Sequence, residues 1–525
     1  MQLVVKAGAR GVRGVKVRVS GNLVSRDGAA IPASSVDVRQ VTLLEVASPS
    51  DETSAPGLWP EPLEPVPDEG VCVPPGENRA FWIRVRVPKG TQAGRYAGSL
   101  AVSSAGGPDV LVPLGVEVFG FELPDAMTLK TSFGYEQGGV FDYHRAKSPQ
   151  ERRVVNEAYL DALSQAHISP YHPEWGLAAQ WKCRVVEPTG TNGQASVVFD
   201  WGAWDAGMEK ILSRWHFNTF VFTIPGFTCV SFPKDGSAHV FHGRREGTPE
   251  YEALAKEYLG GIEAHLRSKG WLDKAYLYWY DEPTADKFKW LDRGLSAVRR
   301  YAPGLRRMIT KEPRDGLMGG VNLWCPTPNM LENAATQACR ARGDDFWWYV
   351  CMQPKAPYAT EFLDHPGTDL RVWLWQTWKE GISGILIWNT VYWTSVTIYP
   401  GARQNPYEDA ASWARMGPPG PKTFRYNWGN GEGRFLYPPR SCFDGGTYAV
   451  LAPPNGSMRL EILRDGIEDY EYFAILSRLD PGNPILKVPA DVAASLTSFT
   501  TRPEPIKAHR RRLAMEIVRL KGCKR

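Results

Sequence analysis

The chain has 525 residues, 43% of them hydrophobic and 22% charged, with 51 Gly and 42 Pro; this balance excludes disordered and fibrous classes and implies two or three packed units, one of barrel size. A formal charge of +4 is small for this length, and the only dense basic run is HRRRLAMEIVRLKGCKR at 509 to 525, so nucleic acid is excluded as a partner class. No run of 18 apolar residues exists, which excludes a helical membrane span.

At the start, MQLVVKAGAR lacks the apolar core of a secretory signal, and QLVVKAG reads as a strand already under way. A soluble protein is expected, cytoplasmic if the chain starts where it is given and periplasmic or extracellular if a signal-bearing segment precedes it. Residues 1 to 124 alternate as short strands (QLVVKA, VKVRVSG, VDVRQVTLL, FWIRVRVP, GRYAGSLAVSS and DVLVPLGVEVFGFELP) separated by turn signals, the pattern of an antiparallel β-sandwich. Within it, residues 49 to 75 hold eight prolines and predict an irregular extended excursion, either a connector or a segment leaning over the neighbouring domain.

Beyond Pro124, apolar strand-like runs alternate with helical stretches, as in βα repeats. Eight runs are candidate strands: LKTSFGY (129 to 135), HISPYHP (167 to 173), FNTFVFTIPG (217 to 226), KAYLYWYDEP (274 to 283), RRMITKEP (306 to 313), GVNLWCP (320 to 326), DFWWYVCMQP (345 to 354) and GILIWNTVYW (384 to 393). Eight strands favour a (β/α)8 TIM barrel, expected over residues 125 to 480. ERRVVNEAYLDALSQA, EYEALAKEYLGGIEAHLRSKG and LDRGLSAVRRYA carry helical spacing, and RLEILRDGIEDYEYFAILSRL at 459 to 479 reads as a closing helix with Arg464 and Glu468 as an i,i+4 pair. Residues 481 to 525 complete the chain as a helical extension packed on the barrel, with Leu513, Ile517 and Leu520 on its apolar face.

Several short motifs carry little chemistry. The eight cysteines show no CxxC spacing and read mostly as buried thiols, with neither a zinc site nor a disulfide framework. His239 and His242 form an HxxH without a partnering Glu, and GNGEG at 429 to 433 reads as a glycine-rich loop rather than a phosphate cradle. The 20 Trp are more informative, because sugar clefts use such rings as platforms, although each one alone can equally fill a core.

In a TIM barrel the reacting groups sit at the carboxyl ends of the strands. The fourth candidate strand brings Asp281 and Glu282 to that rim in YLYWYDEP, before Pro283 stops it. The same acids also suit a helix start, and both roles can hold together. Consecutive strand residues point to opposite sides, so the two do not form the opposed pair of a conventional retaining glycosidase. They suit a scheme in which one carboxylic acid protonates the glycosidic oxygen while the substrate's own 2-acetamido oxygen attacks the anomeric carbon, the other carboxylate stabilising the oxazolinium. A 2-acetamido sugar is then the natural substrate, and the scheme needs no metal or organic cofactor.

Five segments, FWIRVRVPKGTQAGRYAGSL (81 to 100), YLYWYDEP (276 to 283), WWYVCMQPKAPY (347 to 358), RVWLWQTWKEGISGILIWNTVYW (371 to 393) and LRDGIEDYEY (463 to 472), give the chain a nearly end-to-end resemblance to glycoside hydrolase family 123, the β-N-acetylgalactosaminidases, and their broader relatives. The resemblance implies that Glu282 is the general acid and then base, that Asp281 holds the acetamido group, and that aromatics surround the sugar, with Tyr349, Trp388 and Trp393 in the matching segments. Placement alone adds Tyr135 and Glu136 after strand one, His172, Glu174 and Trp175 after strand two, Lys311 and Glu312 after strand five, and Asn389 after strand eight.

The expected function is a retaining exo-glycosidase releasing terminal β-linked N-acetylhexosamine, most directly N-acetylgalactosamine, from a glycan or glycoconjugate. Two alternatives stay open: a two-carboxylate hydrolase of another glycan, with Glu136, Glu174 or Glu312 as second acid, and a non-catalytic carbohydrate-binding protein.

Overall fold

A computed structural model describes residues 1–187, 194–417 and 423–522. The N-terminal strands form two antiparallel sheets. One runs Gln2–Lys6, Asn78–Val85, Val36–Val46, Gly57–Pro65 and Gly456–Ser457; the other runs Ala30–Ile31, Leu23–Ser25, Gly94–Ser103, Val12–Val19 and Val71–Val73, with Val110–Val118 also on Gly94–Ser103. Their inward residues, among them Val15, Leu23, Phe81, Ile83, Tyr96 and Leu100, make one apolar core, as alternation in each strand requires.

The proline-rich excursion differs from expectation. Gly57–Pro65 is a regular strand paired antiparallel with Val36–Val46, and Val71–Val73 pairs with Val12–Val19. Prolines 60, 62 and 65 are tolerated because only the two-residue strand Gly456–Ser457 lies on the outer side, so few ladder donors are lost.

The second architecture is a parallel barrel whose strands are labelled in chain order: β1 Lys130–Phe133, β2 residues 168–171, β3 Phe220–Val221, β4 Ala275–Tyr278, β5 Arg306–Ile309, β6 Leu323–Trp324, β7 Asp345–Tyr349 and β8 Gly384–Ile387. Seven form a continuous sheet in the order β1, β8, β7, β6, β5, β4, β3. The irregular β2 closes the ring: Phe133 N–H donates to Ser169 O at 2.9 Å, Tyr171 N–H to Phe133 O at 2.9 Å, and Val221 N–H to Tyr171 O at 2.8 Å. Every predicted barrel strand therefore lies within its run. Helices Pro149–Gln165, Gly202–Trp215, Pro249–Ser268, Ala285–Tyr301, Ala334–Arg342 and Thr368–Lys379 fill the crossovers except between β5 and β6, where a turn suffices. Met458–Leu479 closes the barrel with the expected Arg464–Glu468 pair at 3.7 Å, and Pro503–Gly522 packs against it through Leu513 and Ile517.

Along the barrel strands, period-two alternation sends Tyr276, Met308, Leu323, Cys325, Trp347, Tyr349 and Leu386 inward, with Tyr171, Tyr278 and Cys351 above them toward the mouth. The seven described cysteines are free; Cys325, Cys339 and Cys442 are buried, Cys183, Cys229 and Cys351 half-buried and Cys72 exposed, so burial is less general than expected. Cys523 lies outside the described residues. His239 of the HxxH is buried against Phe232 and hydrogen-bonded to the Tyr251 hydroxyl at 2.7 Å, a packing role. No helix among the described residues is long and apolar enough to cross a membrane.

Sandwich and barrel meet through polar contacts, most of them buried. Ser50 N–H and hydroxyl donate to Asp364 at 2.8 and 2.6 Å, and Arg440 reaches Glu64 at 2.7 Å. At the centre, Arg459, 3% exposed, pairs with Glu61, 1% exposed, at 2.7 Å and also donates to the carbonyl of Gly431 at 2.9 Å. Removing one member of such a pair strands a charge in the interior. Arg459→Met is expected to lower stability by about 3–5 kcal/mol, measured by chemical denaturation, with Glu61→Gln costing less because it keeps an acceptor.

Candidate active site

The acid pair stands beyond the end of β4. Its strand hydrogen bonding stops at Tyr278, Pro283 is buried, and the next helix runs from Ala285 with Thr284 at its N-cap and Asp286 as the acid of its first turn, so Asp281 and Glu282 lie outside the helix start. Glu282 adopts φ +41°, in the left-handed region, which costs a non-glycine residue on the order of 1 kcal/mol or more. Pleat alternation therefore does not separate the two side chains, as their adjacency on a strand had implied. Different partners do.

Asp281 Oδ1 accepts from the Tyr278 hydroxyl at 2.7 Å and from the Thr310 hydroxyl at 2.8 Å, and Thr310 Oγ1 in turn accepts from Glu282 N–H at 2.7 Å. Glu282 Oε1 accepts from the Tyr349 hydroxyl on β7. Thus β4 and β5 hold Asp281, while β7 holds Glu282. Burial, followed by the hydrogen bond to Glu282, pushes the Tyr349 phenol far above its ordinary range, so it remains a donor. Both acids are exposed at the barrel mouth, and among the described residues neither Asp281 Oδ2 nor Glu282 Oε2 has a hydrogen-bond partner.

On the β8–β1 side of the mouth, the loops and the hairpin Ala411–Met416/Phe424–Asn430 enclose a cleft of about 790 Å³, lined by Glu136, Asn389, Tyr392, Trp393, Arg415 and Trp428 among others. The acid pair does not line this cleft, although both open at the carboxyl end of the barrel. Trp388 stands half-buried at the end of β8, edge-on to Trp428 at 5.5 Å and to Tyr392 at 4.9 Å.

The remaining predicted residues separate by environment. Tyr349 joins the acids. Glu136 and Asn389 reach the cleft, Asn389 using its Oδ1 on Val391 N–H at 2.9 Å. Trp393 touches the cleft but is 2% exposed, donating to Leu436 O at 2.7 Å and packing on Tyr143. Tyr135 is buried, stacked on Tyr159 and bonded to Asn156 at 3.0 Å. At the β2 rim, Trp175 is 49% exposed and stacks on His172 at 4.1 Å, with His172 Nδ1 3.2 Å from Glu174. Glu312 is buried and paired with Arg314 rather than Lys311, which is half-buried. None of Glu136, Glu174 and Glu312 is hydrogen-bonded or ion-paired to Glu282.

Sequence reasoning missed Thr310 and Tyr278. A parity signal existed: Tyr278 follows Tyr276 by two, and Thr310 follows Met308 by two, on the inward face. It also passed over Glu432 in GNGEG and Glu361, since nothing local marks a loop carboxyl as buried. Among the described residues, no group of three or more potential ligands could hold a metal ion.

A barrel with carboxylates at its C-terminal mouth carries them where barrel enzymes hold their reacting groups. The catalytic-domain model of Glycoside hydrolase 123 matches residues 203–476, more than half of the chain. The protein is a glycoside hydrolase acting on a carbohydrate substrate, and it belongs to glycoside hydrolase family 123. A family 123 glycoside hydrolase from Clostridium perfringens, described in relation to glycolipid glycan hydrolysis, superposes with a TM-score of 0.66 at 14% identity, over 99% of this chain and 93% of that one. A β-glucuronidase from Ruminococcus gnavus matches with a TM-score of 0.22 at 10% identity, over 74% of this chain and 61% of that one. Among curated proteins, none matches the sequence.

A hydrogen bond to a group that gains charge during the reaction contributes about 1.5–3 kcal/mol, so Tyr349→Phe is expected to lower kcat/KM roughly 10- to 100-fold, read by steady-state kinetics. Thr310→Ser, which keeps both hydrogen bonds, should stay within a few-fold of the parent.

Proposed function

We propose that the chain is a retaining exo-glycosidase that releases terminal β-linked N-acetylhexosamine, most directly N-acetylgalactosamine, by substrate-assisted catalysis. The observation that carries this reading is the asymmetric bonding of the two acids. Both donors to Asp281 converge on Oδ1, leaving Oδ2 to accept an acetamido N–H, while Tyr349 occupies Glu282 Oε1 and leaves Oε2 facing solvent.

In the first step Glu282, protonated, gives its proton to the glycosidic oxygen as the C1–O bond breaks. The acetamido carbonyl oxygen attacks C1, forming the oxazolinium. Asp281, positioned by the Tyr278 and Thr310 hydroxyls, orients the amide and balances its growing positive charge. In the second step Glu282, now a carboxylate, takes a proton from water as that water opens the ring at C1, so the anomeric configuration is retained. Tyr349 fixes the Glu282 rotamer in both steps. The glycans of glycolipids, hydrolysed by the Clostridium perfringens relative, are the first natural substrates to assay.

Nitrophenyl β-N-acetylgalactosaminide should be cleaved well ahead of nitrophenyl β-galactoside; preference for the plain sugar would remove the acetamido role. Glu282→Gln is expected to reduce turnover by about 10²–10⁴-fold. Asp281→Asn should lower kcat on acetamido sugars while weakening inhibition by an N-acetylgalactosamine thiazoline, and unchanged inhibition would separate Asp281 from the cyclised intermediate.

A further inference from the structure

Beneath the aromatic side of the mouth lie two carboxyl groups that this mechanism does not use. Glu361, on the loop after β7, is 0% exposed, and Glu432, in GNGEG, is 1% exposed. Glu432 Oε1 accepts from the Trp388 indole N–H, and Gly433 N–H donates weakly to Glu361 Oε1 at 3.4 Å. The second oxygen of each, Oε2, is buried and has no ordinary donor. Burial raises both carboxyls, and the charge of Glu432 raises Glu361 further, so the two do not ionise together. One proton between them satisfies both orphaned oxygens at once.

The surroundings fit a single residual negative charge. Arg459 is the cation facing both groups, and it is already paired with Glu61. Cys351 and Tyr392 are titratable neighbours, each made harder to ionise first by burial and then by the charge of Glu432. The Cys351 thiol also feels the charge of Glu282. Glycine is required around Glu432: Gly431 (φ +72°) and Gly433 (φ +66°) are left-handed, and a Cβ on Gly433 would come 2.7 Å from the Trp388 ring.

We infer that Glu361 and Glu432 form a proton-sharing pair that positions the Trp388 indole, and through it Trp428 and Tyr392, as the aromatic wall of the sugar-binding mouth. Glu432 is thus a positioning residue that acts through Trp388, and Glu361 supplies the proton that lets Glu432 remain buried while accepting from the indole. The sugar-binding part of this inference rests on the proposed glycosidase function; the hydrogen-bonding part does not.

The test separates the two. In the full chain labelled with 15N-tryptophan, the Trp388 indole N–H signal is assigned with Trp388→Phe and followed from about pH 5 to pH 9, spanning the Glu432 carboxyl, which burial raises to about 7. The signal should titrate in the parent, titrate with a displaced midpoint in Glu361→Gln, and move toward the position of an unbonded indole in Glu432→Leu. An unmoved signal in Glu432→Leu, or the same titration in Glu361→Gln, overturns the inference. For nitrophenyl β-N-acetylgalactosaminide, Glu432→Leu should raise KM roughly tenfold with kcat changed much less, and Glu432→Gln, which keeps an oxygen acceptor, should recover most of that loss. An unchanged KM in Glu432→Leu overturns the link to sugar binding. Lack of turnover by the parent, with the indole shifts as expected, refutes the proposed function and leaves the proton-sharing pair standing.

Discussion

The hydroxyl of Thr310 ties the site together. It receives the Glu282 N–H and donates to Asp281 Oδ1, so one atom just past the end of β5 fixes both the backbone turn and the first carboxylate. A left-handed glutamate at a strand end is unfavourable by itself and persists because its neighbours over-determine it. Thr310 is one such neighbour, Tyr349 another, and the buried Pro283 a third. The turn carries Glu282 away from Asp281 and toward β7, so two adjacent residues find separate hydrogen-bond partners. An opposed pair on facing strands would need no such turn.

Support for this arrangement comes from the barrel interior. Alternation along β4, β5 and β7 stacks Tyr276 under Tyr278, Met308 under Thr310, and Trp347 under Tyr349. The lower side of each couple fills the barrel and the upper side carries a hydroxyl to the mouth. Large buried rings leave little freedom below, and the donors above inherit that rigidity. On the other side of the mouth, the positioning is polar: the Trp388 ring meets the Glu432 carboxyl, which Arg459 and the sandwich residue Glu61 back from below.

Much of this was legible in the sequence because periodicity survives without neighbours. All eight barrel strands fall inside runs recognisable from apolar content and flanking breakers, including β2, whose backbone is too irregular for a ladder yet still closes the ring. The family was carried by motifs such as YLYWYDEP. What failed was reasoning that needed a partner distant in the chain. The prolines around residue 60 argued against a strand, but the pairing of Gly57–Pro65 with Val36–Val46 overrode them. Glu312 finds Arg314 rather than an open cleft, and Trp393 finds Leu436 O in the core. Conversely, Glu432 looked like loop filler because its burial depends on segments 71 residues before it and 27 after it, at Glu361 and Arg459.

The two-residue strand Gly456–Ser457 has a practical implication for anyone dissecting the molecule. It lies at the N-terminus of the helix that closes the barrel, yet it hydrogen-bonds into the sandwich sheet beside Gly57–Pro65. Two residues later, Arg459 enters the seam where Glu61 waits. A recombinant fragment beginning near residue 125 would therefore lose more than an accessory module. It would leave a short strand edge unpaired and a guanidinium buried without its counterion, beside the loop that carries Glu432. The sandwich is in this sense an internal scaffold for one wall of the catalytic mouth, and the two architectures are one unit of expression.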